Sequence, residues 1–475
     1  MPQNHLSAVA VAFALAWCCF VAYSAAALDH VASDHIMESS FGYGCVIDAG
    51  SSGSRIYIHR WSKDGEGDDL KKFEQEPFFA DERHVGLGDE QGVVLLGEEL
   101  LPAAISALPA GVDSGHVPIY LGATAGVRLA SESEADDIMD RVRSLLHASG
   151  FLFQDDWARA ISGDEESIFG WVVANYLRYD GSFPDDSSTY GALDLGGGST
   201  QIALVGKGGG KDLYPLRIGT LYYPLYTESY LGLGADQARV HYVEKIVLWS
   251  SNINPCYPNG YNSQDIIGSS NWDECFDGVA KLFEGHPNLR GTEDEDAFAD
   301  VVPPPAGNDQ KYIAMSVFVF VYDFLGLEIG TETRDLKTVK DKAAEVCSMN
   351  QEEQTKRYDL HMEDKPPGRK TNKPFAQCFN AAFVYHLLSH GYQMPVDDTP
   401  IEVYYDINGG KVQWALGMML VEANKPDGKR WRESAMGNTT NPYLSLVLVL
   451  LALILGVAIR SGRLAAAVRG KNRYH

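Results

Sequence analysis

The sequence predicts an α/β fold of two related lobes, followed by a C-terminal transmembrane helix. A strand–turn–strand motif that occurs twice, at a constant offset of 146 residues, predicts the lobes. An uninterrupted apolar run at residues 442–459 predicts the helix. The 475 residues are 45% hydrophobic and 22% charged, a composition that excludes global disorder and supplies a sizeable core.

The two copies of the motif occupy Cys45–Ile56 and Ala192–Ile202. Each has an apolar pair, Asp, an apolar residue, Gly and three small residues, then Ser or Thr, a polar residue and Ile. This order predicts a buried strand, a tight turn and a return strand, at residues 55–61 in the first copy and 200–205 in the second. One such turn is usually only a turn, but two copies predict two lobes that present their loops to a shared cleft.

The residue types in the loops suit phosphate binding. Glycines allow backbone N–H groups to approach a ligand closely, and serine hydroxyls add donors with little bulk. Asp48 and Asp194, at the ends of the first strands, can face a metal ion. The sequence has neither the glycine–lysine pattern of a P-loop nor a G-x-S-x-G nucleophile elbow, which disfavours those two classes.

Two segments between the loops carry further candidates. Residues 118–121 predict a strand, and Thr124 follows among small residues, from where its hydroxyl can reach the cleft. Ser131 and Glu134 have the spacing of a capping box and predict the start of the next helix. Glu166 lies in another predicted first turn, where acids often do no more than complement the helix dipole. Beside two phosphate loops, however, Glu166 is the best-placed general base.

The charge balance limits the partners. Lys and Arg total 39 against 64 Asp and Glu, which gives a net charge of −25. Such a surface repels phosphate backbones, so we expect no nucleic-acid partner. An anionic substrate would have to be held by a divalent cation or by a local nest of backbone donors.

The two ends predict a membrane protein. Residues 1–27 resemble a signal peptide, although the lack of Lys or Arg at its start leaves an uncleaved anchor as the alternative. Residues 424–441 form a polar stalk with a glycosylation sequon at Asn438, ahead of the helix at 442–459. The basic tail at 460–475 fits the cytoplasmic side, so the rest of the chain is expected outside the cell or in a secretory lumen.

The cysteines fit an oxidising compartment. Cys256–Cys275 and Cys347–Cys378 are the local pairings, each of which closes a modest loop. Cys45 lies in an apolar run and is expected to be a buried thiol.

Taken together, the motifs resemble those of the apyrase family, the nucleoside triphosphate diphosphohydrolases. The matching regions are Ile47–Arg60, Ile119–Ala130, Trp157–Leu177, Gly191–Leu204 and Ala314–Leu325, with shorter matches at Cys378–Phe379, Gly391–Tyr392 and Trp414–Gly417. The resemblance covers roughly residues 43–422. It implies ribonuclease H-like lobes of the actin-like ATPase type, which we assign to 43–205 and 206–422, with room for the last helix to pack back on the first lobe.

The resemblance also implies a reaction: hydrolysis of the terminal phosphates of nucleoside tri- and/or diphosphates, with Ca²⁺ or Mg²⁺ bridging the phosphates. Glu166 matches the base that deprotonates the attacking water, and Ser199 and Gln201 match the residues that position that water. Asp48 and Asp194 match the acids that hold the water shell of the metal. Direct attack by water needs no phospho-enzyme, and we expect none.

The same resemblance implies the binding residues. The expected phosphate contacts are Ser51, Ser52, Gly53, Ser54, Thr124, Gly196, Gly197 and Gly198. Phe320 and Tyr392 match residues that flank the base, and Phe320 replaces an aromatic hydroxyl that is common in the family. Gly53 and Ser167 also depart from the family pattern beside the cleft.

Alternatives stay open on the sequence alone. They are a GDP or UDP diphosphatase of the secretory lumen, a non-catalytic nucleotide-binding ectodomain, and an exopolyphosphatase or sugar kinase of the actin-like group. A non-catalytic protein would need a disabled base, whereas Glu166 is intact. The sequence does not decide the preferred base or the choice between tri- and diphosphates. It also does not decide between plasma membrane and Golgi, whether the signal is cleaved, or the oligomeric state.

Overall fold

The computed structural model describes residues 41–51, 53–62, 71–206, 213–248, 251–263, 265–283, 310–331 and 335–425. The predicted signal peptide, most of the stalk, the helix at 442–459 and the basic tail lie outside the described residues. Among the described helices, none is both long enough and apolar enough to span a bilayer.

A five-stranded sheet in the order β3-β2-β1-β4-β5 organises the first lobe. Its strands are β1 Phe41–Ala49, β2 Ser54–Ser62, β3 Phe79–Arg83, β4 Ile119–Ala123 and β5 Ala158–Ala160. Strand β1 is antiparallel to β2 and parallel to β4, so the repeated hairpin is the centre of the sheet. The outer helices are α1 Glu90–Leu95, α2 Leu101–Ala107, α3 Ala125–Arg128 and α4 Glu132–Ala148. The predicted capping box of Ser131 and Glu134 opens α4.

A six-stranded sheet in the order β14-β13-β6-β7-β9-β8 organises the second lobe. Its strands are β6 Gly191–Leu195, β7 Ser199–Val205, β8 Tyr214–Ile218, β9 Leu221–Leu231, β13 Tyr312–Ser316 and β14 Ile401–Val403. Two small sheets comprise β10 Ile253–Asn254, β11 Asn262–Ser263 and β12 Ile266–Gly268, and β15 Asp406–Ile407 with β16 Gly410–Lys411. Because β6 pairs with β13 and β7 pairs with β9, the hairpin that we assigned to the first lobe belongs to the second. The boundary at residue 205 is corrected accordingly.

The helices of the second lobe are α6 Ala235–Tyr242, α7 Trp272–Phe283, α8 Val317–Leu325, α9 Leu336–Cys347, α10 Gln351–His361 and α11 Gln377–His386. The predicted disulfides Cys256–Cys275 and Cys347–Cys378 are both formed, which confirms these pairings, and Cys45 is a buried free thiol. The second bridge joins the end of α9 to the start of α11.

Two helices fill the space between the sheets: α5 Gly163–Arg178 and α12 Trp414–Ala423. The alternation of side chains along a strand explains this layer. In the first sheet Val46 and Tyr57 face α5 and α12, whereas Ile47 and Ile56 face the outer helices. Helix α12 therefore packs on the first sheet although it follows the last strand of the second lobe.

Candidate active site

The two repeated turns are closed by equivalent hydrogen bonds. In the first, the Gly50 N–H donates to the Gly53 carbonyl at 2.9 Å, and in the second the Gly196 N–H donates to the Ser199 carbonyl at 3.0 Å. Each turn follows a strand whose parallel neighbour also ends at the cleft, β4 in the first lobe and β13 in the second. The two loops are therefore presented at equivalent edges of the two sheets.

The loops also lie close to each other. A Cβ atom added to Gly197 would be 3.1 Å from Ser51 Oγ, and one added to Gly198 would be 2.7 Å from the Ala125 Cβ at the start of α3. Side chains at these two positions would fill the gap between the lobes. The glycines thus leave the cleft open where the loops meet.

Glu166 enters the cleft from the first turn of α5. The helix begins with a capping box, in which the Glu165 N–H donates to Ser162 Oγ and the Ser162 N–H donates to Glu165 Oε2. Glu165 is thereby occupied at the helix end, and its Oε2 also accepts from Arg159 Nη1 at 2.8 Å. The next residue, Glu166, is left for the cleft and is 7% exposed.

The three residues expected at the water site meet around one carboxylate oxygen. Gln201 Nε2 lies 3.2 Å from Glu166 Oε2 and donates to Ser199 Oγ at 2.7 Å. Arg128 Nη2 donates to the same Glu166 oxygen at 2.7 Å and to Ser199 Oγ at 3.1 Å. The Ser199 oxygen accepts two bonds, which leaves its own hydrogen available to donate.

One atom of this group lacks a partner. Gln201 Oε1 is a buried acceptor with no hydrogen-bond partner among the residues that the structure describes. An orphaned buried acceptor is costly unless water satisfies it. The Gln201 oxygen, the Ser199 hydroxyl and the Glu166 carboxylate together suit a water molecule as a ligand.

Burial dominates the electrostatics of Glu166. It raises the pKa of Glu166 to about 7, with Asp194 and Asp48 adding to the rise and Arg128 opposing it. A carboxyl with this pKa exchanges its proton near neutral pH, which is the property that a general base requires.

Asp48 and Asp194 are the second pair of interest. Burial raises the pKa of Asp48 to about 6 and also raises that of Asp194, and the charge of Asp194 adds to the rise at Asp48. Asp194 Oδ1 is buried and has no hydrogen-bond partner within the described ranges. Two buried acids and an orphaned oxygen fit a divalent cation. Within those ranges no three His, Cys, Asp or Glu side chains surround one point.

Three basic residues near the site were not singled out from the sequence. The structure shows Arg128, at the end of α3, paired with Glu166 on α5. Arg55 Nη1 lies 3.6 Å from Asp48, and Lys373 Nζ lies 2.8 Å from Asp236, which borders the second loop. The place of Arg128 in the short helix directly after β4 is the one local signal that could have pointed to it.

The remaining phosphate candidates differ in their exposure. Ser51 is exposed between the loops, and Thr124 is buried with its hydroxyl 3.4 Å from the Ala49 carbonyl. Ser54 is 1% exposed and donates to the Val85 carbonyl at 3.4 Å, so its hydroxyl is directed into the protein. A Cβ on Gly53 would be 2.7 Å from the Arg83 carbonyl, so β3 requires glycine there. Ser52 lies outside the described residues.

The two aromatic residues expected at the base are placed differently. Phe320 is partly exposed on α8. Tyr392 is 2% exposed in the core of the second lobe, 6.4 Å from the Tyr230 ring, and offers no free ring face.

Comparisons with known proteins find relatives that match most of the chain. Ectonucleoside triphosphate diphosphohydrolase 2 of Mus musculus is 29% identical over 477 residues, which cover 88% of this chain and 89% of the relative. Ectonucleoside triphosphate diphosphohydrolase 1 of Mus musculus is 28% identical, over 88% of this chain and 87% of the relative.

The fold has a counterpart among solved structures. A crystal structure of nucleoside triphosphate hydrolases from Neospora caninum matches with a TM-score of 0.55 and 15% identity, over 84% of this chain and 96% of that one. The model of the GDA1/CD39 (nucleoside phosphatase) family matches residues 35–431. The resemblance in the motifs is thereby confirmed, and the chain belongs to the GDA1/CD39 (nucleoside phosphatase) family.

Proposed function

We propose that this protein hydrolyses the terminal phosphates of nucleoside tri- and diphosphates by direct attack of a water molecule, with Ca²⁺ or Mg²⁺ bound. The observation that carries the proposal is the convergence of Glu166, Ser199 and Gln201, with a free acceptor at Gln201 Oε1. The names of the relatives, which denote triphosphate diphosphohydrolases, support this substrate class.

Glu166 acts as the general base in this mechanism. Its carboxylate takes a proton from a water held by the Ser199 hydroxyl and the Gln201 side-chain oxygen. Arg128 holds the carboxylate through its bond to Oε2 at 2.7 Å. Because the pKa of Glu166 is about 7, the carboxylate is substantially ionised at neutral pH and remains basic enough to accept the proton.

The phosphate chain lies between the two loops. Backbone N–H groups of Gly197 and Gly198, and the hydroxyls of Ser51 and Thr124, supply donors to it. Asp48 and Asp194 would hold a divalent cation through water, and this ion would neutralise charge on the leaving phosphate when bound. Gly53 packs against the Arg83 carbonyl and the Ser54 hydroxyl bonds to the Val85 carbonyl. In this proposal both residues support the first turn and do not contact the substrate.

The catalytic domain faces the extracellular side or a secretory lumen in this proposal. Two disulfides support an oxidising compartment, and the relatives carry the prefix ecto in their names. The apolar run at 442–459 would anchor the chain. Extraction of membranes with alkaline carbonate tests the anchor: retention of the full chain in the pellet supports it, and complete release contradicts it.

Phosphate release from ATP, ADP, GTP, GDP, UTP and UDP with Ca²⁺ or Mg²⁺ tests the activity. We expect wild-type turnover that stops on chelation and falls by about 10²–10⁴ in Glu166→Gln. Asp164→Asn is the matched control, because Asp164 lies in the same first turn but contacts Thr227 and Tyr214. Full activity of Glu166→Gln, turnover that survives chelation, or labelled phosphate trapped on the protein would overturn the mechanism.

A further inference from the structure

Ser229 lies beside the water site, on the strand that pairs with β7. In the antiparallel register of β7 and β9, Ser229 is directly opposite Gln201. Residues that are opposite each other in such a pair have their side chains on the same face of the sheet. The half-buried Ser229 hydroxyl accordingly accepts a hydrogen bond from Gln201 Nε2 at 3.0 Å.

The contacts of Gln201 use both hydrogens of its side-chain amide. One N–H donates to Ser199 Oγ at 2.7 Å, with Glu166 Oε2 at 3.2 Å from the same nitrogen, and the other donates to Ser229 Oγ. An amide nitrogen has only these two donors, and its oxygen is the acceptor. Oε1 is therefore the atom left without a partner in the part of the chain that the structure describes.

Hydrogen bonds have to set the plane of this amide. The terminal torsion of a glutamine side chain has broad minima, so rotamer preference leaves the plane of Gln201 undetermined. A single bond from the amide nitrogen would still permit rotation about that bond. Two bonds in different directions fix the plane, and with it the direction of Oε1. Ser229 provides the second of these bonds.

Helix α5 leaves room for Ser229 and holds its strand. A Cβ on Gly163, the first residue of α5, would be 2.2 Å from Ser229 Oγ, so a side chain there would displace the hydroxyl. The Ser167 hydroxyl, one turn later, lies 2.8 Å from the Gly163 carbonyl and 3.1 Å from the Glu228 carbonyl. Because Glu228 directly precedes Ser229, the helix that carries Glu166 also sets the position of Ser229.

We propose that Ser229 is a positioning residue for the attacking water: it fixes the amide of Gln201 so that Oε1 faces the water, and it acts only through Gln201. This inference rests on the proposed function of Glu166, Ser199 and Gln201. In that mechanism Ser229 touches neither the phosphates nor the metal. Its loss should therefore lower kcat and leave KM unchanged.

Substitutions on one face of β9 separate this role from packing. Ser229→Ala removes the acceptor, and Ser229→Cys keeps a similar shape but offers only the weak acceptor of a thiol. Thr227→Val is the matched control, because Thr227 lies on the same face of β9 and its hydroxyl also bonds to the first turn of α5, at Asp164. Each substitution is made in the full-length protein, alone and together with Gln201→Ala. Melting temperature, kcat and KM are measured with the nucleotide that wild type hydrolyses fastest.

We expect kcat to fall by about 10- to 100-fold in Ser229→Ala and Ser229→Cys, with KM unchanged, and to keep its wild-type value in Thr227→Val. Together with Gln201→Ala, Ser229→Ala should cause no further fall, because residues that act through one another are not additive.

Wild-type kcat in either folded Ser229 variant would overturn the proposal. An equal fall in Thr227→Val, or an equal fall for Ser229→Ala with and without Gln201→Ala, would also overturn it, since each would indicate a general effect of packing. Wild-type protein that hydrolyses no nucleotide would instead overturn the proposed function, so the two failures are distinct.

Discussion

The two copies of the repeated hairpin share the hydrogen bond that closes the turn and differ in the residue opposite the acid. In the first copy Arg55 pairs with Asp48 across the strands, and in the second Gln201 pairs with Asp194. Arg55 lies 3.6 Å from Asp48 and lowers its pKa against the effect of burial. Gln201 brings no charge to Asp194 and contacts Glu166 and Ser199 instead.

This difference explains how one motif serves two roles. The first loop carries its own counter-charge, with Arg55 also bound to Glu82 at 2.8 Å, and presents the exposed Ser51 to the cleft. The second loop has an uncompensated acid next to the water site. In the proposed mechanism the second copy therefore needs a bound cation more than the first, and it is the copy that holds the attacking water.

Converting the second copy into the first should have the largest effect. Gln201→Arg places a guanidinium opposite Asp194, where it would pair with the acid and occupy the water site. We expect kcat of the folded variant to fall by about 10²–10³. Gln91→Arg, on the exposed face of α1, controls for the added charge. Wild-type turnover of Gln201→Arg would show that the two copies are interchangeable.

Arg128, which connects the lobes at the water site, should have the next largest effect. Arg128→Gln removes the bond that holds Glu166, and we expect kcat to fall by about 10². Because Glu166 must be ionised to act and Arg128 lowers its pKa, the acid limb of the pH–rate profile should move from near pH 7 to higher pH.

Arg159→Gln is the matched control for Arg128, since Arg159 pairs with the adjacent Glu165. It should leave the acid limb unchanged. A shift of equal size in both variants would mean that Arg128 acts through the general charge of the site and not through its contact with Glu166.

Removing the counter-charge of the first copy should have a smaller effect. Arg55→Gln raises the pKa of Asp48 above about 6, so this acid is protonated over a wider range and attracts a cation less well. We expect on the order of tenfold more Mg²⁺ or Ca²⁺ for half-maximal turnover at pH 6, and a smaller difference at pH 8. Arg60 lies on the same strand as Arg55 and pairs with Glu74. Arg60→Gln breaks this pair and should need the wild-type amount of cation.

Gly53→Ser places in the first turn the residue that Ser199 provides in the second. The new Cβ would meet the Arg83 carbonyl at 2.7 Å, so we expect the free energy of unfolding to fall by about 1–3 kcal/mol. Denaturant unfolding measures this change. Gly88→Ser has open space for its Cβ and should be close to neutral, and equal stability of both variants would contradict the predicted clash.

Much of the local structure could be predicted. The strand after each turn begins within one residue of the expected position. Glu166 lies in the first turn of its helix. These features depend on local periodicity and capping, which a short stretch of sequence carries.

Pairing between distant segments could not be predicted in the same way. The sequence shows the hairpin at 191–205 but not its neighbours, and only the bonds to β13 and β9 assign it to the second sheet. The direction of the Ser54 hydroxyl and the burial of Tyr392 also depend on packing against Val85 and the core of the second lobe.

By itself, the sequence determined the repeat, the family and the chemical types at the cleft, because glycine, serine and acid positions in a strand–turn–strand motif follow from backbone sterics. Only the tertiary structure decided that Arg128 holds Glu166 and that the Gln201 side chain reaches Glu166. These contacts join residues 38 and 35 positions apart, so they exist only when the two sheets and the helices between them are packed.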